Sequence, residues 1–77
     1  MNALNSGGIG SLMFELGYDL IDFTISEDTY VHGYSGRVVI VRRGQMFDEF
    51  IGRRNVVKVP FRSIYQRADI ADILRMI

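Results

Sequence analysis

Three short apolar runs, separated by glycine-bearing turns, constrain this chain more than any other feature. Arg37-Val38-Val39-Ile40-Val41-Arg42-Arg43 is rich in β-branched residues and apolar on both faces at its middle. That pattern marks a strand with neighbours on both sides. Gly44-Gln45 follows and is short enough for a hairpin turn. Met46 to Ile51 reads as the return strand, with Asp48 and Glu49 partly exposed on opposite faces. Gly52-Arg53-Arg54-Asn55 makes a second turn. In the third strand, Val56 to Phe61, Val57, Val59 and Phe61 face one way, while Val56, Lys58 and Arg62 face the other. Pro60 has no amide proton to donate, which assigns this strand to an edge or places Pro60 at its end.

Helical periodicity brackets this meander. Ile9, Leu12, Met13, Leu16 and Leu20 recur at a spacing that puts them on one face. Ser11 is the expected N-cap and Gly17 the expected stop. At the other end, Ile70, Ile73, Leu74 and Ile77 form an apolar stripe reaching the last residue, so a docked C-terminus is expected. Ser63 with Gln66 three residues later matches a capping box, and Asp69 is the alternative cap of a shorter helix. Asp69 and Asp72 early and Arg75 late suit the helix dipole.

Two stretches stay open. From Tyr18 the chain either continues the first helix to about Asp22 or becomes a strand, because Ile21, Phe23 and Ile25 alternate with Asp22 and Thr24. Ser26-Glu27-Asp28-Thr29 reads as a turn, and Tyr30 to Ser35 as a short strand or a loop. The expected fold is α+β with two layers. It is a three-stranded antiparallel meander, four-stranded if 18–25 pairs, packed against an N-terminal and a C-terminal helix. Residues 1–10, with Gly7, Gly8 and Gly10, read as a flexible arm, and 11–77 as the single domain.

Composition narrows the function classes. A chain of 77 residues with 48% apolar and 23% charged residues is a single globular domain rather than a disordered segment. No Cys is present and His32 is the sole histidine, so no disulfide framework, thiolate chemistry or multi-histidine metal site is expected. No run approaches the apolar length of a membrane span. Met1 to Asn5 lacks the basic and apolar regions of a secretory signal. These features lead us to expect a cytoplasmic protein without membrane, metal or cofactor. A core this small gains from self-association.

Charge carries more information in its distribution than in its sum. Residues 1–36 hold Glu15, Asp19, Asp22, Glu27 and Asp28 and no Lys or Arg, for −5. Residues 37–77 hold nine basic and four acidic residues, for +5. Segregation of this kind points to interaction. The acidic five form a candidate patch for a basic partner. Arg37, Arg43, Arg53, Arg54, Lys58 and Arg62 form a candidate basic face on the exposed side of the meander and its turns, suited to phosphates. The β-β-β-α order of 37–77 resembles, in topology alone, the sheet-plus-helix DNA-binding domains of AP2 type and of some tyrosine recombinases. That resemblance implies a sheet that meets nucleic acid. No sequence motif of those families accompanies it.

Candidate catalytic groups are sparse. His32 lies near Asp28 and Ser35 in sequence, the composition of a nucleophilic triad without evidence of its geometry. Gly7-Gly8-Ile9-Gly10 lacks the strand and the Gly-Lys-Ser/Thr ending of a phosphate loop. Asp69 and Asp72 could share a cation, although the dipole role accounts for them. Phe14, Phe23, Phe47, Phe50 and Phe61 are expected in the core. Tyr18, Tyr30, Tyr34 and Tyr65 are expected at the surface, since a buried phenol needs a partner. Tyr30 and Tyr34 beside Arg37 are candidate anchors for a partner or a base. The sequence therefore points to a small non-enzymatic interaction or regulatory module acting on a protein partner or a second copy, with nucleic-acid binding as the alternative.

Overall fold

The computed structural model describes residues 8–77. Its central feature is one open sheet of five antiparallel strands in sequential order. The strands are β1 (Tyr18–Phe23), β2 (Glu27–His32), β3 (Val38–Arg43), β4 (Phe47–Ile51) and β5 (Val56–Pro60). The three strands read from sequence are β3 to β5. Phase is as expected, with Val59 buried and Val56 and Lys58 outward, and β5 is an edge that ends at Pro60.

Two further strands enlarge the expected meander, so the β-β-β-α portion is not a separate unit. The turn before β2 comes earlier than Ser26–Thr29. The Thr24 hydroxyl accepts the amides of Ser26 and Glu27 at 3.3 and 3.1 Å, and the Thr24 amide donates to the Glu27 carbonyl at 2.7 Å. One hydroxyl thereby closes the turn and frees Glu27, Asp28 and Thr29 to pair with Arg42, Val41 and Ile40 of β3. In β1 the register shifts between Leu20 and Asp22. Ile21 is the extra residue, and this bulge is why strict alternation fails there.

Both helices lie on the same face of the sheet. Ile9 and Met13 of α1 (Ile9–Glu15) and Ile70, Ile73 and Leu74 of α2 (Arg67–Met76) share one buried cluster with Tyr30, Val39, Val41, Phe50 and Val59. Helix α1 starts at Ile9 behind Gly8, two residues before the expected Ser11 cap. The rest of the expected arm, residues 1–7, lies outside the described residues. Gly17 ends α1 as expected, with φ +91°. Helix α2 begins later than the Ser63 box predicts. Gln66 is its N-cap, and the Asp69 carboxylate accepts the Gln66 amide at 3.1 Å. Ile77 is buried against the β4–β5 turn, and the Asn55 side-chain amide donates to the Met76 carbonyl at 2.8 Å.

The aromatic residues invert the expected arrangement. Tyr18, Tyr30 and Tyr65 are buried, while Phe14, Phe23, Phe47 and Phe61 are exposed and Phe50 alone among the phenylalanines is enclosed. Two of the buried phenols reach carboxylates: Tyr30 donates to Asp28 at 3.3 Å, and Tyr65 donates to Asp48. Asp48 is itself fully buried, against the expectation of partial exposure. Its register partner Arg43 lies on the same face and donates to it at 2.7 Å.

Candidate interaction surface

Cross-strand partners share a face, so the register alone defines the side of the sheet away from the helices. Four rows cross it, the outermost formed by Phe47 of β4 and Pro60 of β5. Glu27, Arg42, Glu49 and Lys58 form one row across β2 to β5. Thr29, Ile40, Ile51 and Val56 form the next, with Asp22 of β1 at its end. Asp19, Val31 and Val38 begin the last. Val38 and Val56 are about half exposed, at 47% and 53%, and Ile40 and Ile51 are partly buried. No described element covers this face.

The charged row alternates in sign. Arg42 bridges Glu27 at 3.0 Å and Glu49 at 2.9 Å, and Lys58 sits 3.8 Å from Glu49. Hydrogen bonds to the two glutamates raise the affinity of Arg42 for its proton, so this positive charge is fixed. At the other end of the face, Arg37, Arg53, Val38, Ile40 and Ile51 line a shallow hollow.

The expected basic face is not gathered on one side. Arg37 reaches round the sheet end to donate to the Leu74 carbonyl at 2.6 Å, near the C-terminus of α2, where the helix dipole favours a cation. Arg43 points into the helix side, pairs with Asp48 and donates to the Arg62 carbonyl at 2.7 Å. Arg62 pairs with Asp69 at 3.0 Å and lies over the Tyr65 ring. Lys58 stands in the charged row. Arg53 and Arg54, exposed in the β4–β5 turn, have no ion pair among the described residues.

The acidic residues are divided as well. Glu15 ends α1 opposite Arg67 of α2 at 3.8 Å. Asp19, Asp22 and Glu27 lie on the uncovered face, whereas Asp28 lies on the helix side under Tyr30. Burial raises the Asp28 pKa above the usual carboxylate value, against the opposing pull of the Tyr30 hydroxyl and the Arg43 charge. The same burial, with the Asp28 carboxylate alongside, pushes the Tyr30 pKa up. Burial and the Asp48 carboxylate likewise push up that of Tyr65. These phenols stay protonated and serve as donors. Tyr30, a candidate anchor, is therefore a core residue, while Tyr34 is 98% exposed in the β2–β3 turn.

The three residues of the candidate triad do not assemble. The Ser35 hydroxyl lies 3.0 Å from His32 Nδ1, but that nitrogen accepts the Ser35 amide at 3.1 Å. The hydroxyl and the backbone amide of Ser35 thus compete for the single lone pair of that nitrogen. Asp28 is turned to Tyr30 instead. Among the described residues no group of three metal-ligating side chains comes together, and no helix is long and apolar enough to cross a membrane.

The uncovered face was half legible in the sequence. The outward phase of Val56 and Lys58 pointed to it, but Glu27 and Thr29 could not be placed before β2 was recognised as a strand. No known family model, curated protein or solved structure matches the chain.

Proposed function

We propose that this chain is a small non-enzymatic interaction module whose binding surface is the uncovered face of its sheet. One observation carries this role. A band of Val31, Val38, Ile40, Ile51 and Val56 lies open beside a row of fixed charges, while both helices pack on the other face. An apolar centre with a polar rim is the anatomy of a protein-binding patch. Nucleic-acid binding has less support. Arg37, Arg43, Lys58 and Arg62 are each engaged within the chain, which leaves Arg53 and Arg54 for phosphates.

The test is a photo-crosslinking residue in place of Val38, with the same probe at Phe14 on the helix side as a control. In native lysate the Val38 probe should give a discrete protein adduct that Ile40→Lys removes. An adduct unaffected by Ile40→Lys, or found only from Phe14, refutes this role. Retention on duplex DNA that falls steeply with salt would transfer it to phosphate contacts.

A further inference from the structure

We infer that the occupant of the uncovered face is a second copy of this chain, docked face to face about a two-fold axis parallel to the strands and midway between β3 and β4. The inference rests on the interaction role proposed above and names its partner. The charged row decides it. Its order across the sheet is minus, plus, minus, plus: Glu27, Arg42, Glu49, Lys58. A two-fold axis along the strands reverses this order. Midway between β3 and β4 it lays Glu27 over Lys58 of the second copy and Arg42 over Glu49 of the second copy, so all four crossings are attractive. An axis running along any one strand superposes like charges. An axis perpendicular to the strands and lying along this row lays each residue over itself, which is repulsive four times.

In the next row the same operation brings apolar residues together. Ile40 falls opposite Ile51 of the second copy, and Thr29 opposite Val56, so apolar contacts form the centre. Asp19 and Asp22 of β1, on the acidic side of the face, come beside the β4–β5 turn of the second copy, which carries Arg53 and Arg54. Three of the acidic residues of 1–36, Asp19, Asp22 and Glu27, thereby meet or approach basic residues of 37–77 in the second copy. With this axis β2 to β5 overlap and β1 overhangs; four strands at about 4.8 Å spacing and five to six residues at about 3.3 Å rise give a footprint of roughly 350 Å² per copy. The total, roughly 700 Å² for the two copies, lies below the range of stable interfaces and fits a weak, transient dimer.

The experiment is sedimentation equilibrium of the purified chain from micromolar to millimolar concentration, for wild type, Glu27→Lys, Lys58→Glu and an equimolar mixture of the two variants. Glu27 and Lys58 stand on β2 and β5, about 14 Å apart within one chain, so a mutual effect can act only between copies. Wild type should dimerise. Each variant alone places two like pairs where two opposite pairs stood, and should raise the dimer Kd about tenfold or more. The mixture should restore association, because the lysine introduced on β2 of one variant then meets the glutamate introduced on β5 of the other. Ile40→Thr, which keeps a β-branched residue in the strand, should also weaken the dimer and serves if either charge variant loses its circular dichroism signature. A monomeric wild type, or a mixture no tighter than its components, overturns the inference. If the Val38 probe still captures another protein in lysate, the dimer alone falls. If it captures nothing, the interaction role falls with it.

Discussion

Replacing Asp48 by Ala should be among the most damaging single changes in this chain. The carboxylate is fully buried, accepts Arg43 Nε at 2.7 Å and accepts the Tyr65 hydroxyl. Its loss leaves a mostly buried guanidinium without its counter-charge and a buried phenol without an acceptor. Breaking a buried pair from one side costs about 3–5 kcal/mol. A domain of this length has about 4–12 kcal/mol in total. Urea unfolding followed by circular dichroism and tyrosine fluorescence is the assay, since the chain has no Trp. With a slope near 1 kcal/mol per molar urea, the midpoint should fall by about 3–5 M, enough to leave much of the chain unfolded without denaturant. Asp48→Asn keeps an acceptor for one donor and should cost less, about 1–3 kcal/mol. The combination Arg43→Met, Asp48→Leu and Tyr65→Phe removes the buried carboxylate together with both of its donors and should recover most of the loss, because desolvation offsets much of what a buried ion pair gains. A midpoint for Asp48→Ala within about 1 M urea of wild type would refute the reasoning.

Gly17→Ala should cost about 1–2 kcal/mol, since φ is +91° and a Cβ would lie 2.8 Å from His32 Nε2. A thermal melt should show a fall of several degrees, and adding His32→Ala should recover only the steric part. Gly52→Ala should undock the C-terminus, because a Cβ there collides with the Ile77 carbonyl and meets Ile77 Cβ at 2.7 Å. Hydrogen exchange at the amides of the last turn of α2 should accelerate while the β3 amides stay protected. Asp28→Asn should stabilise the fold at neutral pH. The folded-state pKa of Asp28 is raised, so its ionisation opposes folding as pH rises through that value. The gap between variant and wild type should close as pH falls below the ordinary carboxylate range, and a gap independent of pH refutes it.

How much of this was legible follows from the range of each interaction. Strands β3 to β5, the phase of β5, the edge position of Pro60 and the stripe of α2 were all readable, because alternation, helical period and a missing amide are local properties. Strand β2 was hidden because Glu27-Asp28-Thr29 has turn composition. Its strand state depends on the Thr24 hydroxyl and on pairing with β3. The aromatic residues were misplaced for a similar reason. Whether a phenol can be buried depends on a carboxylate reaching it, and Asp48 lies 17 residues from Tyr65.

The candidate basic face shows the same division. Sequence alone determined that the chain carries −5 and +5 in its two halves, because charge is a property of composition. It could not determine which charges meet. Tertiary structure turned Arg43 inward to Asp48 and Arg62 to Asp69, and used Arg37 against the end of α2. It also set Glu27, Arg42, Glu49 and Lys58 in one alternating line, although they are drawn from four strands. Strand register, which depends on turn length and bulges as well as composition, decides which charges stand side by side.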